Sequence, residues 1–124
     1  LSGSVSIAGT GGSGRSAMSF YQITGHTSIT PYTSLKAQNT NSDNVASITV
    51  NEQYNALTVL TAVSNDGTIT WTNTDSVSNK QMQSATSHVS AINANASIGN
   101  TTYTYTNTTD TTAQTITMCA ASWK

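Results

Sequence analysis

Apolar residues recur at every second position through most of this chain, and the positions between them are hydroxyl or amide side chains. Near the start Val5 and Ile7 alternate with Ser4 and Ser6. A denser run, Met18, Phe20, Tyr21 and Ile23, follows. "VASITV" carries Val45, Ile48 and Val50. "ALTVLTAV" puts Leu57, Val59 and Val63 on one side of an extended chain. "TITWT" sets Ile69 and Trp71 against Thr68, Thr70 and Thr72. Later, "AINANASI" presents Ile92, Ala94, Ala96 and Ile98 on one face, "TTYTYT" presents Tyr103 and Tyr105, and "TITMCAASW" presents Ile116, Met118 and Ala120. A repeat of two is the signature of half-buried strands, because successive side chains point to opposite faces.

Turn residues punctuate these runs. Asp66-Gly67 is a strong hairpin signal, and Gly99-Asn100 fits a two-residue turn with glycine first. Pro31 suits a strand end or an edge strand, since it cannot donate to a ladder. One stretch departs from the pattern: Met82, Ala85, Val89 and Ile92 fall at helical spacing, and Ser78 with Gln81 resembles a capping box. The spacing predicts one short helix near 78–90. Eight or nine short strands with no long helix and no linker predict an all-β chain, an antiparallel β-sandwich of jelly-roll or immunoglobulin-like type. Residues 1–124 are expected to form a single sandwich domain, with 1–9 a strand that copies could exchange.

Composition changes the picture of the surface. Thr, Ser and Asn number 24, 18 and 12, over two-fifths of 124 residues, while only 7% of the chain is charged. An average soluble domain is about 25% charged. Solubility must therefore come from neutral hydroxyls and amides. The formal net charge is −1, so copies repel one another little at long range. Arg15, Lys36, Lys80 and Lys124 are scattered, which gives no basic footprint and excludes ordinary nucleic-acid binding. No apolar run reaches the length of a membrane-spanning helix. The first residue is Leu1 rather than Met, as expected of a processed, secreted product.

The nearest thing to a chemical motif is "GTGGSGRS", residues 9–16. Gly9, Gly14 and Ser16 match the spacing of a Walker loop, but Arg15 stands where that loop needs lysine. Strand-like residues and Gly25 follow where a phosphate-binding helix should run. The stretch reads as a bend between strands; the one chemical role it could serve is an anion nest built from Gly11, Gly12, Gly14 and Arg15. His26 reads as a turn residue and His88 as a solvated one. Two histidines, one cysteine and dispersed acids have no metal-ligand spacing, and Asp66 and Asp75 lack a calcium-loop pattern. No cofactor and no catalytic group is expected. Cys119 has no partner for an internal disulfide and reads as a small buried hydrophobe on a strand.

Three functions fit these features. The first is an extracellular or cell-surface structural protein, a self-assembling filament, coat or adhesin-type subunit joined by strand contacts, with Val5 and Ile7 on the joining strand. Few charged edge residues stand in the way of strand addition. The second is a lectin-like module that binds glycans with Trp71, Tyr103, Tyr105 and Trp123 as an aromatic platform. A viral or phage particle protein is a third. Asn95, Asn100 and Asn107 each open an N-x-[ST] acceptor for N-glycosylation, although so Ser- and Thr-rich a chain produces such triplets by chance.

Overall fold

Period-two alternation becomes eight strands in the computed structural model, which describes residues 21–39, 44–64, 69–81, 87–108 and 115–124. The strands are β1 (Thr33–Asn39), β2 (Val45–Glu52), β3 (Leu57–Ser64), β4 (Ile69–Trp71), β5 (Ser76–Gln81), β6 (Ser87–Asn93), β7 (Gly99–Asn107) and β8 (Ile116–Trp123). All pairing is antiparallel. One sheet has the order β1-β8-β3-β6-β5 and the other β2-β7-β4. The two pack face to face, and neither closes into a barrel.

The order is nested. The first strand pairs with the last, the second with the seventh and the third with the sixth. A long antiparallel ribbon folded over into two sheets gives this order, which is the jelly roll among double-sheet architectures. One pairing differs from full nesting: β5 joins β6 at the edge of the five-stranded sheet rather than β4 across the sandwich.

The core follows from parity. Ala46, Ile48 and Val50 of β2 face inward with Leu60 and Ala62 of β3, Val89 and Ala91 of β6, and Ile116, Met118 and Ala120 of β8. Tyr103 and Tyr105 of β7 fill the middle, fully buried. Trp71 packs on this cluster from β4, edge-on to Tyr105 with ring centroids 5.3 Å apart and an interplanar angle of 82°. Such a T-shaped pair adds about 0.5–1.5 kcal/mol beyond its buried area. The opposite parity gives the outer face of the small sheet its neutral ladders. Ser47 faces Thr104 with hydroxyls 3.0 Å apart, and Thr49 faces Thr102 at 2.9 Å. Cross-strand pairs of this kind contribute about 0.2–1 kcal/mol each.

Several sequence expectations change. Residues 78–81 are strand β5 and 87–90 are strand β6, so there is no helix at either position; 82–86 lie outside the described residues. Strand pairing supplies backbone partners that a Ser- and Thr-rich helix would hold only weakly. β3 and β4 belong to different sheets and do not pair with each other; Asp66-Gly67 between them lies outside the described residues. The alternation of "AINANASI" does not make one strand: β6 stops at Asn93 and 94–98 form a turn. Gly99 opens β7 with φ +119°, a backbone conformation that side-chain-bearing residues seldom adopt. Pro31 precedes β1, which is an edge strand as expected.

Candidate functional site

At one end of the sandwich the β2–β3, β4–β5 and β6–β7 turns lie with the segment that enters β1, and these segments touch. Residues 21–32 lead into β1. Tyr32 N donates to Ser122 O at 2.7 Å, and Thr27 N donates to Lys124 O at 2.6 Å. The β2–β3 turn is bonded to the β6–β7 turn: Asn55 N donates to Ala96 O at 3.0 Å, and Ala96 N to Ala56 O at 3.2 Å. The β4–β5 turn joins them through Asp75, whose N donates to Ile92 O at 2.8 Å and whose Oδ2 accepts from Ala94 N at 2.6 Å. One continuous loop surface results.

This surface holds the most exposed apolar side chains among the described residues. Ile29 is 90% exposed, Ile98 73%, Tyr54 65% and Tyr32 58%. It also carries two clefts. One, of about 400 Å³, runs between residues 27–32, Gln53 and Lys124. The other, of about 480 Å³, lies among the β4–β5 turn, the β6–β7 turn and the start of β7, and is lined by Asn, Thr, Ser and Asp75. Asn73 borders it in the left-handed conformation, φ +62°, with Nδ2 donating to Thr102 O at 2.8 Å.

Beneath this end the core turns polar. Glu52, Thr58, Asn93 and Ser122 occupy inward positions at the ends of their strands, and Glu52, Thr58 and Ser122 are fully buried. Tyr103 OH donates to Glu52 Oε1 at 2.5 Å and accepts from Asn93 Nδ2 at 2.8 Å. Thr58 Oγ1 bonds the same carboxylate oxygen and Ser122 Oγ, the latter at 3.0 Å. Glu52 Oε2 is buried without a partner. Burial, reinforced by the bond to Glu52, pushes the Tyr103 phenol well above its ordinary ionisation range. Burial raises Tyr105 as well; its hydroxyl meets Ser64 Oγ at 2.6 Å towards the opposite end. The network fixes the side chain of Asn93, and Asn93 in turn lines the larger cleft.

The residues singled out from sequence are dispersed. Tyr103 and Tyr105 lie in the core, so no sugar ring reaches them. Trp71 is half-buried against that core, and Trp123 is half-buried on the outer face of the other sheet, opposite Leu57. The expected aromatic platform therefore does not form. The physical reason is parity: the tyrosines share a face with Ile48 and Val50 across β2 and β7. Asn95 and Asn100 are exposed in the larger cleft, but Asn107 is buried, 2% exposed, at the end of β7, which removes it as an acceptor for a glycan. Cys119 is exposed rather than buried, with Lys36 directly across on β1. Val5, Ile7, Gly11, Gly12, Gly14 and Arg15 lie outside the described residues, and so does Asp66.

His88 is buried in β6 rather than solvated, and burial lowers its pKa. Its folded form holds the proton less firmly than the unfolded chain does. Stability is therefore fully present above an ordinary histidine pKa of about 6.5 and falls as the pH drops below it. Urea titrations at pH 7.5 and pH 5 are expected to show a weaker fold at pH 5. His88→Gln should flatten that difference; an equal difference in the variant would assign it elsewhere.

Among the described residues no group of three His, Cys, Asp or Glu is placed to hold a metal ion. Comparison of the chain with protein-family models, with curated proteins and with solved structures finds no match.

Proposed function

We propose that the chain is a self-assembling structural subunit of an extracellular layer, filament or coat, and that copies meet through the loop-bearing end of the sandwich. The observation that carries this reading is the gathering of Ile29, Tyr32, Tyr54 and Ile98, all more than half exposed, on one continuous loop surface. Scattered apolar residues on a surface need no explanation, but a cluster marks a contact. Tyrosine is favoured in such contacts because it buries a large area for little lost conformational freedom.

Two further features support a second copy as the partner. A net charge of −1 leaves little repulsion to overcome. Both edges of the small sheet are also poor joining surfaces in comparison. On the side where the sheets meet, Thr33 Oγ1 donates to Asn51 O at 3.0 Å and Asn39 Nδ2 donates to Val45 O. Side chains of β1 thus cap edge carbonyls of β2 that would otherwise recruit a strand. At the opposite edge of the small sheet, β4 has only three residues.

Light scattering and negative-stain microscopy of the native chain test the reading. The expected result is a defined assembly that the double variant Tyr54→Ser, Ile98→Ser disperses. Both side chains are exposed, so the variant should melt near the parent temperature. A monomeric parent, or an assembly that survives in the variant, overturns the proposal.

A further inference from the structure

We propose that the larger cleft at the loop-bearing end, floored by Asn93 and walled by Asn73, Asp75, Asn95, Asn100 and Thr101, is a binding site for a neutral oligosaccharide. The site is independent of the contact between copies, because it rests on the chemistry of the cleft and not on the exposed apolar residues.

The lining selects the ligand class. It carries no Lys, Arg or His, so nothing compensates the charge of a phosphate, sulfate or carboxylate. It carries no aromatic ring, so a nucleobase has nothing to stack on. Asp75 is its one carboxylate, and its Oδ2 already accepts from Ala94 N, which leaves little negative charge to hold a calcium ion. What remains are amides and hydroxyls, each able to donate and accept. A ring bearing several hydroxyls is the ligand whose groups also do both.

An extended peptide is less suited, because it gains affinity from a free strand edge. The edge of β7 is already occupied where it borders the cleft. Thr104 O accepts from Thr72 N at 3.0 Å, Thr104 N donates to Thr72 Oγ1 at 3.1 Å, and Thr102 O accepts from Asn73 Nδ2 at 2.8 Å.

The cleft is also built in advance. Asn73 is pinned through its own amide to Thr102. Asp75 is pinned through Oδ2 to Ala94 N, and the Asn95 backbone N donates to Asn93 Oδ1 at 3.3 Å. Asn93 is held from below by Tyr103, and Tyr103 by the buried Glu52. Groups that are already fixed lose little freedom on binding. The exposed amides of Asn95 and Asn100 stay available to a ligand.

The test uses the intact chain. It is screened on an array of neutral and acidic glycans, and then titrated, with side-chain amide resonances followed by NMR, against maltotriose, cellotriose and triacetylchitotriose. The expected result is binding of at least one neutral glycan, with shifts at the amides of Asn95 and Asn100. The Asn95→Ala, Asn100→Ala variant, with its melting temperature unchanged, should weaken that binding by about tenfold or more, as expected for lost hydrogen bonds. Absence of any neutral glycan from the bound set, binding of acidic glycans alone, or equal binding by the variant would each overturn the proposal. The same titration on the Tyr54→Ser chain keeps the two functional readings apart: sugar binding should persist whether or not copies assemble.

Discussion

Tyr103→Ala is expected to lower the unfolding free energy by about 3–5 kcal/mol, the range for removing a large aromatic side chain from a packed core. Tyr103 is fully buried and fills the space between the sheets beside Ile48, the residue directly across on β2. Its hydroxyl also donates to Glu52 and accepts from Asn93. Tyr103→Phe keeps the ring and removes only these two bonds. It should cost about 1–3 kcal/mol, because a buried carboxylate then loses one of its donors. The two variants therefore separate packing from hydrogen bonding. Urea unfolding measures both, and near-equal losses would show that the network, not the ring, dominates at this position.

The same residue sets the alkaline limit. A phenol whose folded-state pKa is raised stays protonated in the fold after the unfolded chain has begun to ionise. Stability is thus unaffected below an unfolded tyrosine pKa of about 10 and declines as the pH rises above it. Tyr103 and Tyr105 are both shifted in this direction. In a Tyr21→Phe, Tyr32→Phe, Tyr54→Phe background, which leaves only the two buried phenols, tyrosine absorbance between pH 9 and pH 12, as working limits of roughly one to two units around that reference, should show ionisation and loss of structure together. Ionisation that precedes unfolding would mean the phenols are more accessible than their burial implies.

Leu60→Ala is the second large effect. Leu60 is fully buried near the middle of β3, and about 2–5 kcal/mol is expected for its truncation. Val63, three residues on, has the opposite parity and is 42% exposed. Val63→Thr keeps the branched side chain and should move stability by no more than about 0.5 kcal/mol. The pair tests the direction of the alternation within one strand. Comparable losses at both positions would mean that the outer face of the five-stranded sheet is covered in solution.

That strand shows both the reach and the limit of sequence reading. Its composition announces a strand, and a period of two separates Leu60 and Ala62 from Leu57, Val59 and Val63. Both sets are apolar, so the pattern does not say which faces the other sheet. The choice falls to packing, because β3 is the central strand of its sheet and only one side meets β2 and β7. In β2 the outcome is more legible. The parity of Ala46, Ile48 and Val50 carries Glu52 inward as well, a position that its charge taken alone does not announce. The loop-bearing end was harder to see. Ile29, Tyr32, Tyr54 and Ile98 span 70 positions of sequence, and no local pattern brings them together.

Local rules were enough for the all-β class, for most of the strands and for the neutral hydroxyl ladders, because these follow from side-chain alternation and from the scarcity of charge. They misread 78–81 and 87–90, where helical spacing of four apolar residues competed with the pairing of β5 on β6 and of β6 on β3. The nested strand order, the burial of Tyr103 and Tyr105, the polar floor around Glu52 and the cleft above it were decided by the tertiary structure. Each depends on which strands lie side by side, and that is settled by contacts between residues far apart in the chain.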